Sequence, residues 1–208
     1  MTNVLIVDDE RMVQELFAHY IEAASDRYRL IGTVKDASNA LVACLNAGVD
    51  LVLMDICTAN NESGIAAAAA IKQSYPHIKI IIVTSAPEVS FIRKSKEAGA
   101  DSFWYKEVSP QQLITVMDRT MAGEHIYPEE TPTVLIGDAC STEFTETELK
   151  VLSFIVQGRS ISEISKLMQV EYETTRTHIK HLKEKTGAPS VTALCALAVR
   201  TRLIMPEY

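Results

Sequence analysis

The chain has 208 residues, enough for two domains of ordinary size and too few for three. Its 47% hydrophobic and 23% charged content, with only 8 glycines and 7 prolines, excludes fibrous, low-complexity and disordered classes, and four scattered cysteines without a CxxC spacing exclude a disulfide framework or a zinc site. The net charge of -7 is uneven: Lys and Arg number 11 against 19 Asp and Glu up to Cys140, but 9 against 8 after it, with His178 and His181 in addition.

The opening MTNVLIVDDE passes from a short apolar run into acids, unlike a signal peptide. No apolar stretch approaches the ~20 residues that a membrane helix needs. A cytoplasmic protein is therefore expected, with free thiols.

Through about residue 121 short β-branched runs alternate with helical patterns, which predicts a doubly wound, five-stranded parallel sheet with helices on both faces. The expected strands are Val4 to Val7, Leu30 to Val34, Leu51 to Met54, Ile78 to Val83 and Phe103 to Tyr105. Val13, Leu16, Phe17, Tyr20, Ile21 and Ala24 recur at helical spacing and predict one buried stripe. The last helix of this half should open at Ser109-Pro110, a cap followed by the proline favoured at a first helical position, and bury Leu113, Ile114, Val116 and Met117. Trp104 is expected to pack on the sheet face opposite Phe103 and Tyr105.

Asp8 and Asp9 end the first strand and Asp55 ends the third. In a doubly wound sheet these strands are neighbours where the winding reverses, so the three carboxylates converge above the sheet edge. Three like charges in one cavity call for a cation, and Mg2+ suits hard oxygen ligands shared with a phosphoryl group. Asp55 is then the candidate nucleophile, forming an aspartyl phosphate. Thr84 ends the fourth strand and Lys106 follows the fifth, so a hydroxyl and an ammonium reach the same rim.

This order resembles the receiver-domain family of two-component signalling, a flavodoxin-like fold, over about the first 120 residues. Its pattern of acidic pair, phosphoacceptor, Ser/Thr, aromatic and Lys reads here as Asp8-Asp9, Asp55, Thr84, Phe103 and Lys106. The resemblance implies that the backbone carbonyl of Cys57 completes the Mg2+ shell. It also implies that phosphorylation draws Thr84 inward with Phe103 following as a switch. One departure stands out: after Asp55 the family usually has a proline-containing pair and then a glycine. This chain has Cys57-Thr58-Ala59-Asn60-Asn61-Glu62-Ser63-Gly64, about one residue longer and without proline.

Residues 122–142 contain two prolines and two glycines and no sustained period, and are expected to be a linker between a receiver at 1–121 and a small all-α domain at 143–208. Helices are expected from Thr145 to Gln157, Ser162 to Met168, Thr174 to Thr186 and Ser190 to Thr201. The first begins with a capping box, Thr145 to Glu148, and stops at Gly158. The short connection between the second and third predicts a helix-turn-helix. From Phe144 the chain resembles the NarL/FixJ (LuxR-type) output domain, in Phe144-Thr145, Glu148, Val151-Leu152, Gly158, Glu163-Ile164, Leu167, Val170, Thr174, Arg176, His178-Ile179, Lys185 and Gly187. Glu171 stands where that family usually has a serine cap.

The resemblance implies double-stranded promoter DNA as the ligand. Arg176, Thr177, Lys180, His181 and Lys183 are the candidate contacts. It also points to the last helix, with Val191, Ala193, Leu194, Leu197 and Ala198, as the element of a homodimer, some of these residues being needed for the domain's own core. The sequence is thus read as a response regulator, phosphorylated on Asp55 by a histidine kinase to control transcription, and not as an enzyme beyond accepting and losing that phosphoryl group. Three other readings stay open: a phosphorylation-independent regulator, a module docking a protein instead of DNA, and a phosphatase-like use of Asp55. The last is disfavoured because no second acid/base group is visible.

Overall fold

A computed structural model of the chain describes residues 1–88, 90–106 and 110–204. They form two compact units, one of Met1–Ser85 and Ser90–Glu129, the other made chiefly of the chain from Glu130 onward.

In the first unit the long strands are β1 (Thr2–Val7), β2 (Tyr28–Val34), β3 (Leu51–Asp55), β6 (Lys79–Thr84) and β7 (Ser102–Tyr105), with two short ones, β4 (Cys57–Thr58) and β5 (Glu62–Ser63), after β3. The long strands make the expected sheet in the order β2-β1-β3-β6-β7, every pairing parallel. From β1 the chain adds β2 on one side, then returns to β3 on the other side of β1 and continues outward to β6 and β7, so the winding reverses between β1 and β3. Their apolar composition follows from burial on both faces: Val4, Leu5, Ile6 and Leu51 to Met54 are fully or almost fully excluded from water.

Helix α1 (Arg11–Ala23) and α5 (Pro110–Met121) pack one face, where Phe17, Ile21, Leu113 and Met117 meet Val4, Ile6, Leu53, Ile81 and Trp104. Trp104 is seated edge-on against Phe17, centroids 6.0 Å apart, while Phe103 and Tyr105 meet edge-on with centroids 5.0 Å apart. The alternation expected of this strand therefore holds. Leu16 departs from the expected stripe and is 43% exposed, because it lies at the outer edge of a face that Phe17 and Ile21 fill. Ser109, expected as the cap of α5, lies outside the described residues; the helix does open at Pro110. Helices α2 (Ala37–Ala47), α3 (Gly64–Ser74) and α4 (Ser90–Glu97) complete the α/β alternation.

The stretch expected as a linker is shared between the units. Its start closes the open edge of β7: Phe103 N–H donates to Ile126 O, Ile126 N–H to Ser102 Oγ, and the Tyr127 hydroxyl to Ala100 O. These bonds satisfy an edge strand that would otherwise leave donors and acceptors unpaired. Its end forms a small hairpin, β8 (Leu135–Ile136) with β9 (Ala139–Cys140), whose Ile136 and Ala139 join the core of the second unit. Gly137 turns this hairpin at φ +62°, and a Cβ there would lie 2.0 Å from Thr186 O. Sequence periodicity could not reveal strands two residues long.

The second unit is otherwise helical: α6 (Glu146–Val156), α7 (Ile161–Met168), α8 (Tyr172–Thr186) and α9 (Val191–Arg200). Val151, Leu152, Ile164, Ile179, Leu182, Leu194 and Ala198 form its core. Capping boxes at Thr145/Glu148 and Ser160/Glu163 start α6 and α7. Of the last-helix residues, Leu194 and Ala198 are the ones that pack this core, as expected of some of them, whereas Val191 and Val199 stay exposed. Cys44, Cys57, Cys140 and Cys195 are all free thiols.

The buried Glu148 does more than cap α6, since it also pairs with Lys185 of α8 at 2.8 Å. Burial raises its pKa, but the Lys185 ammonium and the Thr145 donors outweigh that and hold it below the ordinary 4.5. Glu148→Gln should therefore cost about 1–3 kcal/mol of helical-unit stability in urea unfolding at pH 7. A folded-state pKa below the unfolded one stabilises at neutral pH and is lost on acidification. The two proteins should thus converge as pH falls below about 4.5; equal midpoints at pH 7 would refute this role.

Candidate functional site

The sheet fixes the site through register. Val7 pairs with Met54, so Asp8 and Asp55, each one residue further on, leave adjacent strands side by side. Asp55 pairs with Val83, and Thr84, the next residue, pairs with Tyr105 just before Lys106. The Lys106 N–H donates to Thr84 O at 2.9 Å, tying the ends of β6 and β7 together.

Lys106 carries its ammonium inward, 2.7 Å from Asp8 Oδ2 and 3.0 Å from Asp55 Oδ2, with only 9% of its side chain exposed. The remaining carboxylate oxygens take backbone donors: Glu10 N–H on Asp8 Oδ1 at 2.9 Å and Ile56 N–H on Asp55 Oδ1 at 2.8 Å. Asp9 stands at the exposed lip. One oxygen from each of Asp8, Asp9 and Asp55 lies within 4.8 Å of the others, close enough to hold one ion.

Burial raises the Asp55 carboxyl to about 7, with the Asp8 charge adding to the effect and Lys106 opposing it. Asp8 is raised for the same leading reason. The neighbouring carboxylates in turn hold the Lys106 ammonium above its ordinary value despite burial. Three carboxylates and one ammonium leave a formal charge of about -2, which suits a divalent cation. The buried Asp8 Oδ2 has the Lys106 ammonium as its partner at 2.7 Å, and a carboxylate oxygen has a second lone pair with which it can also bind a metal. The donor set, oxygen throughout with one exposed carboxylate, fits Mg2+.

Thr84 is buried at the end of β6 and Phe103 is buried in β7, paired with Ile82. Cys57 lies two residues beyond Asp55, in the longer loop noted in the sequence. That loop is a two-strand hairpin in which Cys57–Thr58 pairs with Glu62–Ser63 and Asn60 turns at φ 61°. It is fastened to the β2–α2 connection: Ala37 N–H donates to Thr58 Oγ1 at 3.0 Å, Ser38 N–H to Glu62 Oε2 at 2.6 Å and Ala59 N–H to Lys35 O at 2.9 Å. Gly64 ends the hairpin against the backbone of Asp55, where a Cβ would stand 1.7 Å from Asp55 O. The contacts of Thr58 and Glu62 had no signal in the linear sequence, because their partners lie up to 24 residues away.

The other candidate site lies on α8. Ser165 of α7 donates its hydroxyl to Thr175 at 3.0 Å, a buried bond that fixes the crossing of the two helices. Thr175, Ile179, Leu182 and Thr186 face inward, and Arg176, Thr177, Lys180 and His181 are exposed as expected; Lys183 is half-buried. The Thr177 hydroxyl already donates to Glu173 O. The helix begins at Tyr172, two residues before the expected start, with Glu171 as its N-cap and no side-chain cap bond.

Residues 4–118 match the response regulator receiver domain family, and residues 142–198 match the bacterial regulatory proteins of the luxR family. The chain is 27% identical to the response regulator protein VraR of Staphylococcus aureus (strain NCTC 8325 / PS 47), over 97% of this chain and 98% of that one. A LuxR family DNA-binding response regulator from Silicibacter pomeroyi is 30% identical, with 62% of this chain and 98% of that one covered and a TM-score of 0.53. RcsB from Salmonella enterica serovar Typhimurium, in a structure bound to promoter rprA with the phosphomimetic BeF3-, shares the fold at 18% identity and a TM-score of 0.62. That match covers 95% of this chain and 98% of the other. Among the described residues no helix is long and apolar enough to cross a membrane.

The raised Asp55 pKa carries a stability consequence. Since the folded value of about 7 exceeds the ordinary 3.8, ionised Asp55 destabilises the fold as pH rises through that interval, and fully above it. Asp55→Asn in a chelator should melt higher than the wild type at pH 8, with the difference shrinking toward pH 4; a lower melting temperature at pH 8 would contradict it. Gly64→Ala should destabilise the receiver by more than about 2 kcal/mol in urea unfolding, because backbone must move to admit the methyl. An unchanged midpoint would show that the hairpin gives way freely.

Proposed function

The chain belongs to the response regulator receiver family and carries a luxR-type regulatory domain, and we propose that Asp55 is its phosphoacceptor and α8 its DNA-reading helix. The observation that carries the first half is the shared Lys106 ammonium between two buried carboxylates, with Asp9 within reach of the same ion. The phosphoryl donor is a phosphohistidine of a sensor histidine kinase. Asp55 Oδ attacks phosphorus, the P–N bond breaks, and the imidazole leaves with the electron pair.

Bound Mg2+, held by Asp8, Asp9, Asp55 and the Cys57 carbonyl, would neutralise the carboxylates and the phosphoryl oxygens as charge shifts between them. Lys106 would exchange its carboxylate partner on Asp55 for a phosphoryl oxygen. The Thr84 hydroxyl would donate to another, with buried Phe103 following. The mark is removed by water attacking the same phosphorus, which returns Asp55 as carboxylate.

Arg176, Thr177, Lys180 and His181 form the exposed edge toward DNA, with half-buried Lys183 beside them. Near-neutral charge limits counterion release, so useful affinity needs two copies on one promoter, paired through the exposed Val191 and Val199 side of α9. The cytoplasm is the compartment where kinase and promoter meet.

Acetyl phosphate with Mg2+ should add one phosphoryl group to the intact mass of the wild type and none to Asp55→Asn. Modification persisting in the variant, or absent from both, would remove the assignment. On a promoter duplex, Lys180→Ala should weaken binding and lower the salt slope by about one; identical slopes would place Lys180 away from the phosphates.

A further inference from the structure

We propose that Glu173 is a specificity-determining residue, its carboxylate accepting a hydrogen bond from the N4 amino group of a cytosine next to the base pair addressed by Arg176. This rests on the assignment of α8 to the major groove. Because α8 begins at Tyr172, Glu173 lies inside the helix and heads a stripe with Arg176, Thr177, Lys180 and Glu184, at i, i+3, i+4, i+7 and i+11. All five are exposed, on the side away from Thr175, Ile179, Leu182 and Thr186. Glu173 has 73% of its side chain exposed, and its Oε1 lies 3.5 Å from Arg176 Nη1, which keeps both groups on one edge.

A carboxylate in a first helical turn favours the helix dipole, and an exposed ion pair adds little. Those effects account for its tolerance by the helix, not for its place on a surface that meets a polyanion. Within the major groove a carboxylate, an acceptor only, is repelled by phosphate, by guanine N7 and O6 and by thymine O4. Adenine offers an N6 donor but sets the N7 acceptor beside it. Cytosine presents its amino group with no adjacent acceptor of its own, so it is the base that this side chain selects. Three helical residues advance about 4.5 Å, against about 3.4 Å between base pairs, so Glu173 and Arg176 face neighbouring pairs.

The test is selection of bound sequences from a duplex library with a randomised core, using the full chain phosphorylated by acetyl phosphate. The wild type should enrich cytosine at one position. Glu173→Gln should move that preference to adenine, whose N6 and N7 suit an amide, by about ten-fold. Glu173→Ala should leave the position degenerate and bind a fixed unrelated duplex more tightly. If all three proteins enrich the same bases with the same weights while Arg176→Ala loses enrichment, Glu173 reads nothing and the proposal fails alone. If the wild type enriches no sequence and Arg176→Ala changes nothing, the groove assignment fails and takes the proposal with it.

Discussion

Two buried carboxylates held against one ammonium are the constraint on which the receiver half depends. Asp8 and Asp55 are brought together because Val4 to Val7 and Leu51 to Met54 are apolar enough to be central, neighbouring strands, and their shared register leaves the next residue of each at the same edge. Burial then penalises both charges, and Lys106 relieves the penalty only in part. An arrangement of this kind is poor for stability, since the charges are only partly balanced, and a divalent cation would change that balance sharply. Lys106 is also the joint between strands, because its backbone is bonded to Thr84 while its side chain spans to β1 and β3.

Much of this was legible in the sequence. Strand cores declared themselves as β-branched runs, and convergence of Asp8, Asp9, Asp55 and Lys106 followed from the rule that sites lie at carboxyl ends where winding reverses. What was hidden depends on contacts distant in sequence. The Cys57–Ser63 hairpin looked like a loop because its two-residue strands owe their position to Lys35, Ala37 and Ser38. The stretch after Met121 looked like a free linker because nothing local records that Ile126 completes the edge of β7. Leu16 matched the helical period and still lies outside, since period fixes a face but not where that face ends.

In the helical half, core and caps were visible, while the start of α8 was not. A helix was expected from Thr174. The helix instead begins at Tyr172, with Glu171 as a cap that makes no side-chain bond. That shift of two residues brings Glu173 onto the same edge as Arg176 and Lys180. An edge with an acid at each end and two bases between them carries less positive charge than a purely basic one.

The most direct test of the shared-cation account is anomalous diffraction from crystals soaked in Mn2+, a scattering substitute for Mg2+. The account predicts one strong peak within ligand distance of carboxylate oxygens of Asp9 and Asp55. A peak elsewhere with none between these residues, or no peak at a concentration that saturates the protein in solution, would contradict it.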